Sequence, residues 1–507
     1  MHSKKIINNS LISMIYKITI MLLGFVSRKI FIVHLGEEIL GLNSLYSNLL
    51  DFLNLADLGI GVAVQYQLYE PLVKKDYEKL SKIITAAKKM YNMIGCFIFF
   101  AGVVLSVFIP KLIKSTTFPL WYVQLSFIIS LIGITLGYFF VHKRLFLQAN
   151  EELGIVNIID LSAKTVTVII SLVTTVIFEN YFLYLLINAL YGLIANLIIH
   201  NIFKMRYPQV KSNHSDTYNE TQELTSNLKN VVPMKFSNYV YNSTDNVIIS
   251  KVLGLSKVAL YSNYMTIING IMGIEYLFGN IMTSSIGKII KEVDNTETIF
   301  HYYLVFQYIQ FIFTSFCTVS LAVLCNPFIT WWIGEHFIAQ KIVYILLIID
   351  FYVHSMYQPA YVMFGAAGKF RDDKYITLIS AILNIIISLI MVNCIGLAGV
   401  IVGTLVTDLY IWCVRSYQMV KIYFHQNLKK YMAKMAKYTI LTIIGVMASI
   451  VIGNFVHTDM LILELFVKSI ICVIIPNAVN LIFTHNCSEL VESKHYLKQY
   501  FRKGSVS

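Results

Sequence analysis

Apolar segments of about twenty residues or more recur from one end of the chain to the other, and no other feature restricts its fold as strongly. Hydrocarbon offers no partner for a backbone N–H or C=O, so a crossing segment must satisfy its peptide groups internally. Segments this long and continuous do so as helices rather than as barrel strands. Fourteen spans can be placed, at 11–34, 39–70, 90–110, 119–142, 153–178, 181–203, 232–253, 258–287, 303–327, 338–364, 375–394, 396–420, 438–456 and 461–483. The expected fold class is therefore an all-α polytopic membrane protein. A composition of 57% hydrophobic and 13% charged residues excludes an ordinary soluble domain of this size.

An even number of spans puts both termini on one side of the membrane. Most of the 40 lysines and arginines fall in the N-terminus, the loops after even-numbered spans and the C-terminal tail. The opposite side holds Lys111, Lys114, Lys251, Lys257 and Lys341. Basic residues mark the cytoplasmic side, so both termini are expected there; the excess of lysine over arginine, 34 to 6, hints at an AT-rich bacterial source and so at a bacterial plasma membrane. The net charge of +12 then reads as topology and contact with anionic membrane lipids, not as a nucleic-acid surface. Lys4 and Lys5 precede an apolar stretch as in a signal peptide, but Lys17 interrupts it and no small-residue cleavage site follows, so it reads as an uncleaved first span.

Seven cysteines, mostly within spans and without a CxxC, predict neither a disulfide framework nor a zinc site. The chain carries no GxSxG, HExxH or phosphate-binding glycine loop, and no acidic pair in an aqueous loop. No enzyme activity, metal or cofactor is expected.

The longest polar connection, 204–229, falls after the sixth span and reads as a cytoplasmic linker between two six-helix bundles, 1–203 and 230–420. A shift of 218 residues superposes LGEEILGL (Leu35 to Leu42) on LGLSKVAL (Leu253 to Leu260) and brings Tyr46 onto Tyr264, Asp51 onto Asn269 and Asp57 onto Glu275. Six spans is an even number, so the two halves form a parallel repeat about an axis along the membrane normal. Residues 421–437 alternate Leu428, Tyr431, Met432 and Met435 with Lys429, Lys430, Lys434 and Lys437, the pattern of an interfacial amphipathic helix. An extra helix pair, 438–484, and a cytoplasmic tail, 485–507, complete the chain.

A polar side chain in hydrocarbon costs several kcal/mol if unsatisfied, about 2.5–3.5 for a central charge, so it should face a partner helix or a wet cavity. At 100° per residue, span 2 aligns Asn43, Ser47, Asp51, Asn54 and Asp57, and span 7 aligns Lys235, Asn238, Asn242, Asp245 and Asn246. Span 1 places Lys17 and Arg28 on one face, and span 5 does so with Asn157, Asp160, Lys164, Thr167, Ser171 and Thr174. These stripes predict a hydrated cavity where the halves meet, with Ser, Thr and Asn stripes as helix-packing contacts the plainer reading. Asp51, Asp57 and Asp245 are either structural partners of the cations or sites of ion coupling. Asp160 and Lys164, at i and i+4, can neutralise each other, and Asp350 and His354 read as a hydrogen-bonded pair. Asp408 shows no partner, and Glu275 lies off its helix's stripe, in a packing or interfacial role.

The segments GFVSRKIFIVHLGEEILGLNSLYSNLLDFLNLADLGIG (Gly24 to Gly61) and NYVYNSTDNVIISKVLGLSKVALYSN (Asn238 to Asn263) make the chain resemble the Wzx-type polysaccharide repeat-unit flippases of the multidrug/oligosaccharidyl-lipid/polysaccharide (MOP) exporter superfamily. The resemblance implies two six-helix bundles that rock between inward-open and outward-open states and carry a polyprenyl-pyrophosphate-linked oligosaccharide to the outer leaflet. It also implies a cationic cavity, which Lys17, Arg28 and Lys235 match by type. In this reading those three contact the pyrophosphate, and Asn43, Asn54, Asn238, Asn242 and Asn246 meet sugar hydroxyls. Asp57 or Asp245 would couple transport to a proton or sodium gradient; amide variants that kept full gradient dependence would count against this. Polysaccharide polymerase or assembly proteins are the expected protein partners. A lipid II flippase is the near alternative, and a multidrug or cation exporter the more distant one.

Overall fold

A computed structural model describes residues 2–54, 60–211, 221, 243–292, 295–367, 370–456, 460–490 and 492. Asp57, Lys235, Asn238, Asn242 and most of the 204–229 linker lie outside the described residues. The chain is all-helical, as its apolar segments require, and eleven of the described helices are long and apolar enough to cross a membrane. It is a multi-pass membrane protein.

The chain divides into two compact units, 1–259 and 260–507. In the first, α1 (His2–Leu35), α2 (Glu37–Leu53), α3 (Ile60–Lys74), α4 (Tyr77–Phe108), α5 (Leu120–Tyr138), α6 (Val141–Ala149), α7 (Leu153–Phe178) and α8 (Tyr181–Arg206) follow in order. Residues 243–252 are helical again. Helix α9 (Leu255–Glu292) begins at the end of this unit. The second unit holds α10 (Thr296–Ile333), α11 (Lys341–Ala366), α12 (Phe370–Ile395), α13 (Leu397–Ser416), α14 (Leu428–Gly453) and α15 (Leu461–Thr484).

Helix starts are written in short polar side chains, which accept from otherwise orphaned first-turn N–H groups. Asp76 caps α4 through Lys79 N at 3.0 Å, and Asn180 caps α8 through Leu183 N at 3.1 Å. Asn295 and Asn427 do the same for α10 and α14. Span 2 of the sequence reading is described as α2 and α3, which flank residues 55–59. Of segment 421–437, residues up to Tyr423 finish a π-helical turn, Tyr417–Tyr423, and Leu428 opens α14, which runs unbroken to Gly453.

The repeat is visible in local geometry. Gly36 at the start of α2 has φ +84° and Gly254 before α9 has φ +96°, both in a region that L side chains avoid. Ten residues beyond each, Tyr46 and Tyr264 are buried. Tyr46 Oη donates to Val123 O at 2.6 Å, and Tyr264 Oη to Asn326 Oδ1 at 2.7 Å.

In the first unit, α7 packs on α1 and α8, and α5 on α4 and α8. In the second, α10 contacts α11, α14 and α15, and Tyr352 Oη of α11 donates to Thr439 Oγ1 of α14 at 3.0 Å, so both α10 and α11 join the C-terminal helix pair to its unit. An aromatic seam fixes that joint. The Phe311 and Tyr438 rings stack at 4.2 Å, Tyr303 Oη meets Tyr431 Oη at 2.9 Å, and Tyr308 Oη meets Thr484 Oγ1 at 2.8 Å.

Candidate functional site

Helices α1, α2, α7 and α8 line an open cavity of about 220 Å³ within the first unit. Its polar lining is Ser27 and Arg28 from α1, Asn43 from α2, Lys164 and Ser171 from α7, and Tyr184 and Asn188 from α8. Two cations and no carboxylate line it among the described residues.

The hydroxyls there serve their own helices first. Ser27 Oγ donates to Leu23 O at 2.7 Å and Ser171 Oγ to Val168 O at 2.9 Å, so each keeps oxygen lone pairs for an incoming donor. Asn43 Oδ1 accepts from Tyr181 Oη at 3.1 Å, and Asn188 Nδ2 donates to Tyr184 O at 2.9 Å. Phe31 packs edge-on against Tyr181 and Tyr184, with ring centroids 5.9 and 4.9 Å away, and forms an apolar wall.

Lys164 reaches this cavity because its nearest acid is taken. Asp160, one turn earlier on α7, is held by Arg144 of α6 through two parallel hydrogen bonds of 2.7 Å. Arg144 Nε donates as well to Asn196 Oδ1 at 2.6 Å. A bidentate guanidinium–carboxylate pair outcompetes a flexible ammonium on the same helix. The Asp160–Lys164 pairing that the sequence allowed is therefore replaced by Asp160–Arg144, and Lys164 lies 4.9 Å over the ring of Tyr191.

The expected site residues distribute as follows. Arg28 and Asn43 line the cavity. Lys17 is exposed on α1, and Asp51 is exposed on α2 beside Ser47, opposite the buried face of Leu42, Leu45, Tyr46, Leu49 and Leu53. Asn54 accepts from Tyr138 Oη at 3.0 Å. Asp245 and Asn246 are buried on the 243–252 helix. Lys235, Asn238, Asn242 and Asp57 lie outside the described residues. Lys164, Ser171, Tyr184 and Asn188 join the cavity although none was assigned to substrate from sequence; the stripe on span 5 held the signal for Lys164 and Ser171.

The second unit contains a buried polar network. His354 Nδ1 lies 3.0 Å from Asp408 Oδ2 and 2.8 Å from Tyr357 Oη, while Nε2 lies 3.2 Å from Tyr276 Oη. The carboxylate facing His354 thus comes from α13, not from Asp350 on its own helix, which corrects the expected pair and gives Asp408 its partner. Glu275 is buried and accepts from Gln310 Nε2 at 2.6 Å and Ser355 Oγ at 2.8 Å, a packing role within α9, α10 and α11. Arg415 is buried over the rings of Tyr357 and Tyr361.

No protein-family model and no curated protein sequence matches the chain. Solved structures do. The lipid II flippase MurJ in an inward closed conformation superposes with a TM-score of 0.71 at 13% identity, covering 95% of this chain and 99% of that one. An inward-facing multidrug resistance MATE family transporter of the MOP superfamily gives 0.63 at 15% identity, over 83% and 99%. A MOP superfamily transporter from Pyrococcus furiosus, whose binding pocket is described as having reverse polarity, gives 0.55 at 15%, over 81% and 94%. The fold is that of the MOP-type transporters.

Proposed function

We propose that the chain flips a polyprenyl-pyrophosphate-linked oligosaccharide repeat unit from the cytoplasmic to the outer leaflet by alternating access, for cell-surface polysaccharide synthesis. The supporting observation is the cavity that carries Arg28 and Lys164 and, among the described residues, no carboxylate. A pyrophosphate with sugars cannot cross hydrocarbon unaided, whereas a polyprenyl tail is at home there, so the protein need only enclose the head group. Arg28 and Lys164 would supply charge-assisted hydrogen bonds to phosphate, and Asn43, Asn188, Ser171 and Tyr184 the neutral contacts that sugar hydroxyls use. The cavity is sized for a head-group fragment, so Lys17 and Lys235 remain candidates for other parts of the substrate.

A cation exporter would need carboxylates where this chain has an arginine and a lysine, which disfavours that reading. A lipid II flippase is the second reading, favoured by the superposition on MurJ. Deletion of the protein separates the two. Lipid-linked repeat units accumulating on the cytosolic leaflet, with loss of surface polysaccharide and retained viability, are expected. Loss of viability with accumulated cell-wall precursor would transfer the assignment to lipid II, and accumulation of neither would contradict both.

A further inference from the structure

His354 on α11 and Asp408 on α13 are 6% and 0% exposed, and neither belongs to the Arg28–Lys164 cavity of the first unit. A carboxylate accepts, so the imidazole nitrogen facing Asp408 Oδ2 at 3.0 Å, Nδ1, carries a proton and donates it. Tyr357 Oη lies 2.8 Å from the same nitrogen. Nε2 then presents a lone pair, which the Tyr276 hydroxyl faces at 3.2 Å and the Gln358 amide nitrogen at 3.1 Å. In this form the ring is neutral.

The same partners also satisfy the imidazolium. A hydroxyl accepts as readily as it donates, and a glutamine amide offers oxygen in place of nitrogen after a half-turn of its last torsion. A proton delivered by hydronium forms an N–H bond at Nε2, leaves water behind, and places a positive charge beside the Asp408 carboxylate, the pairing that a buried charge needs. The Tyr276 hydroxyl and the Gln358 amide change role in place, without repacking. Among the described residues the other titratable or charged groups around the pair are Glu275 on α9, Asp350 and Tyr361 on α11, Arg415 on α13 and, beyond Glu275, Cys317 on α10.

Helix α11 lacks a rung in this turn. Pro359 has no N–H to give to the Ser355 carbonyl. Side chains of other helices brace the turn: Gln307 Nε2 of α10 donates to Met356 O at 3.1 Å, and Ser355 Oγ donates to Glu275 of α9 at 2.8 Å. A reversed hydrogen bond at Nε2 is therefore felt by α9 as well as α11. Tyr276 is 42% exposed, which leaves the buried ring one hydrogen bond from the surface of its unit.

We propose that His354 is a reversible proton-binding site of the second unit, with Asp408 as its counter-ion and Tyr276 and Gln358 as the partners that change role. The site is independent of what the chain transports, and it uses a group other than Asp57 and Asp245, the acids that the sequence marks for gradient coupling.

Full-length protein labelled with 15N-histidine is placed in lipid bilayers and followed by solid-state NMR from about pH 8 to about pH 5, the range in which histidine changes charge. The His354 signals are those lost in H354Q or, if that variant does not fold, in H354N. Nδ1 should stay protonated throughout, while Nε2 passes from unprotonated to protonated as the pH falls. D408N should cost His354 at least about tenfold in proton affinity, the effect of removing an adjacent opposite charge. Y276F should move the Nε2 signal of the neutral ring and leave Nδ1 in place, and it decides the geometry should D408N fail to fold. H301Q, which removes an imidazole 2.6 Å from Glu492, should leave the titration unchanged. An Nε2 that keeps one state across the range, unchanged proton affinity in D408N, an Nε2 signal unmoved by Y276F, or a loss in H301Q equal to that in D408N would overturn the site.

Discussion

Asp160 has two basic candidates along the sequence, Lys164 one turn away on α7 and Arg144 sixteen residues earlier, and the fold pairs it with the second. Intrahelical spacing is the only pairing geometry that a single sequence displays, so i,i+4 partners are legible and cross-helix partners are not. The same limit explains His354, whose carboxylate comes from Asp408 on α13 rather than Asp350 on α11. Arg144→Met is expected to leave a largely buried carboxylate without its cation. That should cost about 3–5 kcal/mol or draw Lys164 back to Asp160, which unfolding of the single variant and of the R144M/K164M pair measures. Simple additivity of the two would show that Lys164 never approaches Asp160. Gly41 tests packing at the same scale. A methyl built there falls 2.1 Å from Leu255 O, whereas one at Gly273 meets nothing within 4 Å. Gly41→Ala should destabilise by about 1–3 kcal/mol. Gly273→Ala should be neutral or stabilising, because alanine is the better helix former. Equal melting of the two variants would contradict the close α2–α9 approach.

The helices themselves were largely legible, because apolar length and the satisfaction of peptide groups leave hydrocarbon few alternatives. Their interruptions were less so. The apolar run 39–70 reads as one span, and α2 to Leu53 and α3 from Ile60 are described within it on either side of residues 55–59. The lysine pattern of 421–437 reads as a surface helix, yet a π-helical turn and the positive φ of His425 come first and α14 then starts at Leu428. Hydrophobic periodicity reports which face is apolar, not where a chain turns. Small residues carry a second message at this scale. Gly399 and Gly403 of α13 let α12 approach until built methyls would fall 2.1 Å from Met391 O and 2.1 Å from Ser388 Oγ, the close packing that small residues permit between membrane helices. Gly403→Leu is expected to part the pair and lower the melting temperature in detergent by several degrees. A wild-type melting curve would show that the two helices tolerate separation.

Across the whole chain, the 218-residue repeat predicted two related halves, and its glycine-started helices with buried tyrosines ten residues on appear at both positions. Fold class was thus readable from apolar length. The cavity was only half readable: Arg28 and Asn43 stood out on their stripes, but Lys164 was masked by an apparent neutraliser. Substrate rests on that cavity's charge. The most direct measurement is leaflet-to-leaflet movement of a polyprenyl-pyrophosphate-linked oligosaccharide in proteoliposomes containing wild-type protein or R28Q/K164Q. Each charged hydrogen bond to a buried phosphate contributes about 1.5–3 kcal/mol, so the double variant should lose at least about a hundredfold in transport at equal protein incorporation. Wild-type flux from the double variant would contradict the proposal that this cavity holds the phosphates.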